Sequence, residues 1–214
     1  MGIAIWLVPS PDESNQLKSL MSRHPKPKHP SSYLQFHPHI TLASVPSETT
    51  SVPTLRASIP DQEPVLPVQF AAVIAGNHYY RSIYAAIFPT TELTALHTHI
   101  HAALGDVNSP NTPAFPHLSL YYIADEDARE REEYLQEMVR SGVVVSGAGG
   151  QGVELDCGVA RADTDLNAIT RLSGFSGSEI WIVDCDGPVE GWTPLEKIKL
   201  ETPRKQTVPL DVFD

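Results

Sequence analysis

Basic residues are scarce in this sequence of 214: 15 lysines and arginines stand against 26 aspartates and glutamates, a formal charge of −11. A field of that sign opposes binding to extended nucleic acid, whose affinity rests on phosphate neutralisation. It still permits a small nucleotide in a locally positive pocket. Cysteine is scarcer yet. Cys157 and Cys185 are too few for a disulfide framework and match no zinc spacing, so both read as buried free thiols in strands. No apolar run approaches the roughly 18 residues of a transmembrane helix. Met1–Pro9 lacks the basic region of a signal peptide. The expectation is a soluble, intracellular, cytoplasmic monomer, with peripheral organelle association left open. An apolar fraction of 41% against 19% charged is an ordinary globular mixture with enough chain to bury a core.

Along the chain, Gly2–Val8 reads as a strand. A helix from Asp12 to Arg23 follows, with Ser10 as cap and Pro11 in its first turn. A proline-broken basic loop, Arg23–Pro30, leads to a strand around His39. Val65–Ala75 and Arg81–Phe88 read as a strand pair turning at Gly76-Asn77. Leu93, Leu96, Ile100 and Leu104 repeat at helical spacing, and Gly105 ends that run. A loop with three prolines (Asn108–Pro116) delivers a strand around His117. Asp125 is placed as the cap of a charged helix to Arg140, whose Glu130, Glu132, Glu133 and Glu137 form a wet face. Val153–Ala162 and Glu179–Cys185 read as the last strands. Pro188–Asp214 reads as a tail docking through Trp192, Leu195 and Ile198.

Two tetrapeptides organise this pattern: His39-Ile40-Thr41-Leu42 and His117-Leu118-Ser119-Leu120, 78 residues apart (117 − 39). Strand side chains alternate, so each histidine and hydroxyl share one face while the two apolar residues enter the core. A histidine and the hydroxyl two residues on lie about 6.5–7 Å apart along a strand, a span suited to one phosphate. An imidazole titrating near neutrality serves as base or acid, and hydroxyls donate to non-bridging phosphate oxygens. One copy alone reads more readily as a strand histidine bonded to a carbonyl. The pair carries weight because each copy follows a strand–helix unit. The element order predicts an α+β fold of two antiparallel sheets with flanking helices, two lobes related by a pseudo-twofold.

These paired motifs, the form His37-Pro38-His39-Ile40-Thr41-Leu42 and the run His117-Leu118-Ser119-Leu120-Tyr121-Tyr122 resemble the 2H phosphoesterase superfamily. Within it they resemble the fungal and plant cyclic phosphodiesterases. The resemblance implies one bilobal domain over residues 1–214, with the site in a central cleft. It implies hydrolysis of nucleoside 2′,3′-cyclic phosphates to 2′-phosphates, and of ADP-ribose 1″,2″-cyclic phosphate, a by-product of tRNA splicing, to the 1″-phosphate. No metal or other cofactor is implied. His39, His117, Thr41 and Ser119 carry over as catalytic residues, with His117 as general base and His39 as acid. Thr41 and Ser119 also hold the phosphate, and Tyr122 matches an aromatic position beside the nucleoside. Arg81 is a candidate substrate contact, or an ordinary surface arginine.

Rival signals exist. His97, His99 and His101, with His37 and His39, invite a metal-dependent phosphohydrolase. On a helix, however, only His97 and His101 share a face, and the three read as surface histidines. The basic loop Arg23–His29 reads as solvated, or as a positive rim. A nucleotide- or RNA-end-binding module without turnover is the non-enzymatic alternative.

Overall fold

The computed structural model describes residues 2–108, 110–112, 114–158 and 170–201. Among these residues, four α-helices and ten strands follow in chain order. They are β1 (Ile3–Pro9), α1 (Pro11–Met21), β2 (Ile40–Val45), α2 (Val52–Ala57), β3 (Leu66–His78), β4 (Arg81–Ile87) and α3 (Thr91–Asn108). Then come β5 (His117–Tyr121), α4 (Ala128–Arg140), β6 (Val144–Ser146), β7 (Val153–Asp156), β8 (Arg171–Leu172), β9 (Gly174–Asp184) and β10 (Thr193–Lys199). The large sheet runs β1-β2-β5-β4-β3-β9-β10, and β9 also pairs with β1, so six strands close a ring with β10 outside it. β6, β7 and β8 form a small separate sheet. Among the described residues, no helix is long and apolar enough to cross a membrane.

The duplication is legible in the coordinates. β1 and β4 have the same length and are offset by the same 78 residues as the motif histidines (81 − 3 and 87 − 9). Trp6 pairs with Thr41 and Ile5 with Ala43, skipping Leu42; Tyr84 pairs with Ser119 and Ile83 with Tyr121, skipping Leu120. Each motif strand is therefore bulged one residue past its hydroxyl, which sharpens the local twist. The two halves meet at a single antiparallel pair, Ile40 against Leu118, the residues that follow the two histidines. Both are fully buried, as are Leu42 and Leu120.

Several elements differ from the sequence reading. β3 continues through Gly76-Asn77 to His78, and the turn is Tyr79-Tyr80. A Cβ on Gly76 would lie 2.0 Å from the Arg81 carbonyl oxygen, so this glycine permits close backbone approach at a bulge rather than a turn. Asp125 accepts from the Arg131 guanidinium instead of capping α4, and Asp127 occupies the cap position without a side-chain capping bond, its carboxylate accepting from Ser32 Oγ instead. Glu130 is buried against Lys28, 3.4 Å away, and Arg23 bonds the Asp156 carbonyl, so the basic loop is pinned to the body. The supposed tail contains β10, and Leu195 is exposed there while Ile198 packs on the core. The part of the Val153–Ala162 expectation from residue 159 on, and of the tail from residue 202 on, lies outside the described residues.

Candidate active site

The pairing of Ile40 with Leu118 fixes what their neighbours do. An antiparallel register through that pair sets His39 against Ser119 and Thr41 against His117, all on the face opposite the buried leucines and isoleucine. All four side chains line one cleft of about 540 Å³ between the halves, together with Arg81 and Tyr122. The structure thus brings these six to one cleft, and leaves His37, His97, His99 and His101 outside its lining.

Both imidazoles are anchored in the same way. His39 Nδ1 lies 2.6 Å from the His37 carbonyl oxygen, and His117 Nδ1 lies 3.1 Å from that of Ala114. A carbonyl only accepts, so Nδ1 carries the proton in each ring, and Nε2 is the atom left to take or give one. Each ring also meets an aromatic partner at the duplicated position. His39 stacks on Trp6 with centroids 3.7 Å apart, and the Tyr84 ring stands edge-on to His117 at 5.4 Å.

The two differ in burial. His39 is 7% exposed, and His117 is half-buried. Burial pushes His39 down to about 3, against the opposing lift of the His37 carbonyl, and repulsion from His37 and His117 adds to the fall. Burial also lowers His117; the Ala114 carbonyl resists and the Arg81 charge adds to the drop. Burial thus favours the neutral form of both rings.

Ser119 Oγ donates to the Tyr80 carbonyl at 2.8 Å. Tyr122 stacks on Phe36 at 4.0 Å, and burial raises its phenol above the ordinary tyrosine value, so it stays a neutral donor. Trp6, Tyr80 and Trp192 complete an aromatic wall that the motif reading missed. Trp192 stands 5.9 Å from Trp6 and 6.0 Å from Tyr80. Such a wall suits a nucleobase. The one signal for Trp6 was its position 78 residues before Tyr84. Nothing local marks Trp192, which folds back from the β9–β10 connection.

The histidine-rich helix reads differently in three dimensions. His99 is exposed, but His97 and His101 turn inward. His97 Nε2 pairs with Thr112 Oγ1 at 2.7 Å, and His101 Nε2 with the Leu42 carbonyl at 3.0 Å, tying α3 to the back of β2 and to the loop ahead of His117. They are structural ties, not surface groups. His37 lies against Trp181 instead, 4.3 Å between centroids. Among the described residues, no three histidine, cysteine, aspartate or glutamate side chains gather as a metal-ligand group.

Comparison with known proteins follows the same lines. A family model described as cyclic phosphodiesterase-like protein matches residues 1–200. A crystal structure described as a phosphoesterase superposes with a TM-score of 0.53 at 14% identity, over 94% of this chain and 98% of that one. LigT of E. coli, complexed with NADP+, gives 0.52 at 13% identity with the same coverage. The LigT complex with 3′-AMP gives 0.51 at 12%, again over 94% and 98%. At such identity the likeness is one of fold. No curated protein matches the chain.

Proposed function

The chain belongs to the cyclic phosphodiesterase-like family, and from that premise we propose that it hydrolyses nucleoside 2′,3′-cyclic phosphates to 2′-phosphates. By the same chemistry it converts ADP-ribose 1″,2″-cyclic phosphate to the 1″-phosphate. The observation that supports this best is the Ile40–Leu118 pairing, which sets two anchored imidazoles and two hydroxyls around one volume.

In this reading the phosphate sits between Thr41 and Ser119, whose hydroxyls donate to its non-bridging oxygens, with the Arg81 charge beside it. Ser119 gives up its bond to the Tyr80 carbonyl to do so. Water arrives from the open side of the cleft, where His117 is the more exposed ring. His117 Nε2 takes a proton from that water as its oxygen attacks phosphorus. The P–O bond to the 3′ oxygen breaks on the buried side, and His39 Nε2 protonates the departing alkoxide. The acid is thus screened from solvent, and the base faces it. His39 becomes charged only with the phosphate in place.

Incubating the purified protein with the four 2′,3′-cyclic mononucleotides and ADP-ribose 1″,2″-cyclic phosphate, with chromatographic separation, tests the proposal. Ring-opened monoesters are expected. Binding without turnover would make the chain a reader of such ends rather than a hydrolase.

A further inference from the structure

A second pocket of about 340 Å³ adjoins the cleft, and Trp6 and Trp192 line both. Its other walls include Gln35, His37, Glu190 and Lys197. We infer that this pocket receives the distal nucleoside diphosphate of a substrate whose cyclic ribose phosphate lies between His39 and His117. The inference rests on the proposed hydrolysis and assigns the residues that select among its substrates.

Three observations carry it. First, one aromatic plate, Trp192, walls both cavities, so a ligand filling the cleft has a continuous aromatic path past it. Trp192 is only half-buried and comes from the β9–β10 connection, outside the duplicated core.

Second, the pocket's cation is not spent on a carboxylate. Lys197 Nζ sits 3.7 Å from the centroid of the Trp181 ring and makes no ion pair among the described residues. Lys18 on α1 is near enough to feel the same charge. Lys18 and Lys197, which make no ion pair among the described residues, thus bring two positive charges to this side of the cleft on a protein of formal charge −11. The acids nearby are occupied or useful: Glu179 accepts the Trp181 indole N–H at 2.6 Å, and Glu190 on the lining can accept from ribose hydroxyls.

Third, the cross-strand register lays this out as a row. Thr41 pairs with Trp6, Trp6 with Trp181, and Trp181 with Lys197. Neighbouring strands stand about 4.8 Å apart, so the Lys197 backbone lies three strand spacings, on the order of 14 Å along the sheet, from that of Thr41, with its ammonium folded back over Trp181. That is the reach of a diphosphate-linked second nucleoside, and beyond a mononucleotide.

The test compares Lys197→Glu and Gln35→Trp, the first reversing the charge and the second filling the pocket. The assay is kcat/KM for ADP-ribose 1″,2″-cyclic phosphate and for 2′,3′-cyclic AMP. Both variants are expected to lose about tenfold or more on the former, the scale of one charge-assisted contact, and to stay within about twofold on the latter. Equal losses on both substrates, or no loss on either, would overturn the assignment. Calorimetric binding of plain ADP-ribose keeps the test separate from turnover. Weaker binding in both variants is expected, and unchanged binding counts against the pocket even if the protein proves not to hydrolyse anything.

Discussion

Product binding should draw one proton from solution, and His39 should be where it goes. Burial pushes His39 down to about 3. To donate a proton at pH 7 it must rise by about four units, which is about 5 kcal/mol of differential interaction. One negative charge 4 Å away contributes about 4 kcal/mol at an effective permittivity near 20. A cyclic monoanion therefore brings His39 close to neutrality, and the second charge developing in the transition state completes the shift. A phosphomonoester dianion, which the product becomes above its second pKa of about 6, exceeds the requirement. Titrating 2′-AMP at pH 7.5 in buffers of different ionisation enthalpy reads the uptake directly from the slope of apparent enthalpy. The wild type should take up close to one proton, and His39→Asn none. Uptake that persists in His39→Asn but vanishes in His117→Asn would exchange the acid and the base. Absence of uptake in the wild type would refute the charge-coupled acid altogether.

Other outcomes follow from the same geometry. Thr41→Ala and Ser119→Ala should each lower kcat/KM on the order of 10²-fold by removing a phosphate donor. Arg81→Met should raise the His117 pKa, since Arg81 depresses it, and so move the low-pH limb of kcat/KM upward while weakening substrate binding. His39 binds its proton less readily folded than unfolded, so the unfolded chain holds more protons between pH 6.5 and about 3, and stability is lost as the pH drops through that window. The loss from this group should be about 2 kcal/mol at pH 5, and urea unfolding of His39→Asn should show a correspondingly flatter acid dependence. His99→Ala should leave stability and activity unchanged, while His101→Ala should cost about 1 kcal/mol through its lost bond to the Leu42 carbonyl. Activity should survive dialysis against EDTA, because the acid, the base and the phosphate donors are all side chains.

The duplication was legible because both copies keep the same chemistry at the same spacing. Apolar residues alternate with a histidine and a hydroxyl, and each copy follows a strand and a capped helix. Ser10 does cap α1, reciprocally with Glu13. What escaped was fixed by long-range packing. β10 opens with Thr193-Pro194 and is rich in charge, a composition an edge strand tolerates because only β9 needs its backbone. Glu130 looked solvated because helical charge runs usually are; the lysine and tyrosine that meet it, Lys28 and Tyr33, lie about a hundred residues earlier. His97 and His101 share a face, as their spacing requires, but the sequence did not reveal that β2 and Thr112 would lie beneath that face. The aromatic wall draws Trp6, Tyr80 and Trp192 from three separate segments, a gathering visible only once the ring of strands closes.

The most direct test of the paired-histidine cleft is phosphorus NMR of 2′,3′-cyclic AMP incubated in EDTA with the wild type and with His39→Ala/His117→Ala. Circular dichroism would verify that the double variant is folded. The wild type should convert the cyclic phosphate signal to that of 2′-AMP, and the folded double variant should leave it unchanged. Persistence of the wild-type rate in the double variant, or an inert wild type, would contradict the account.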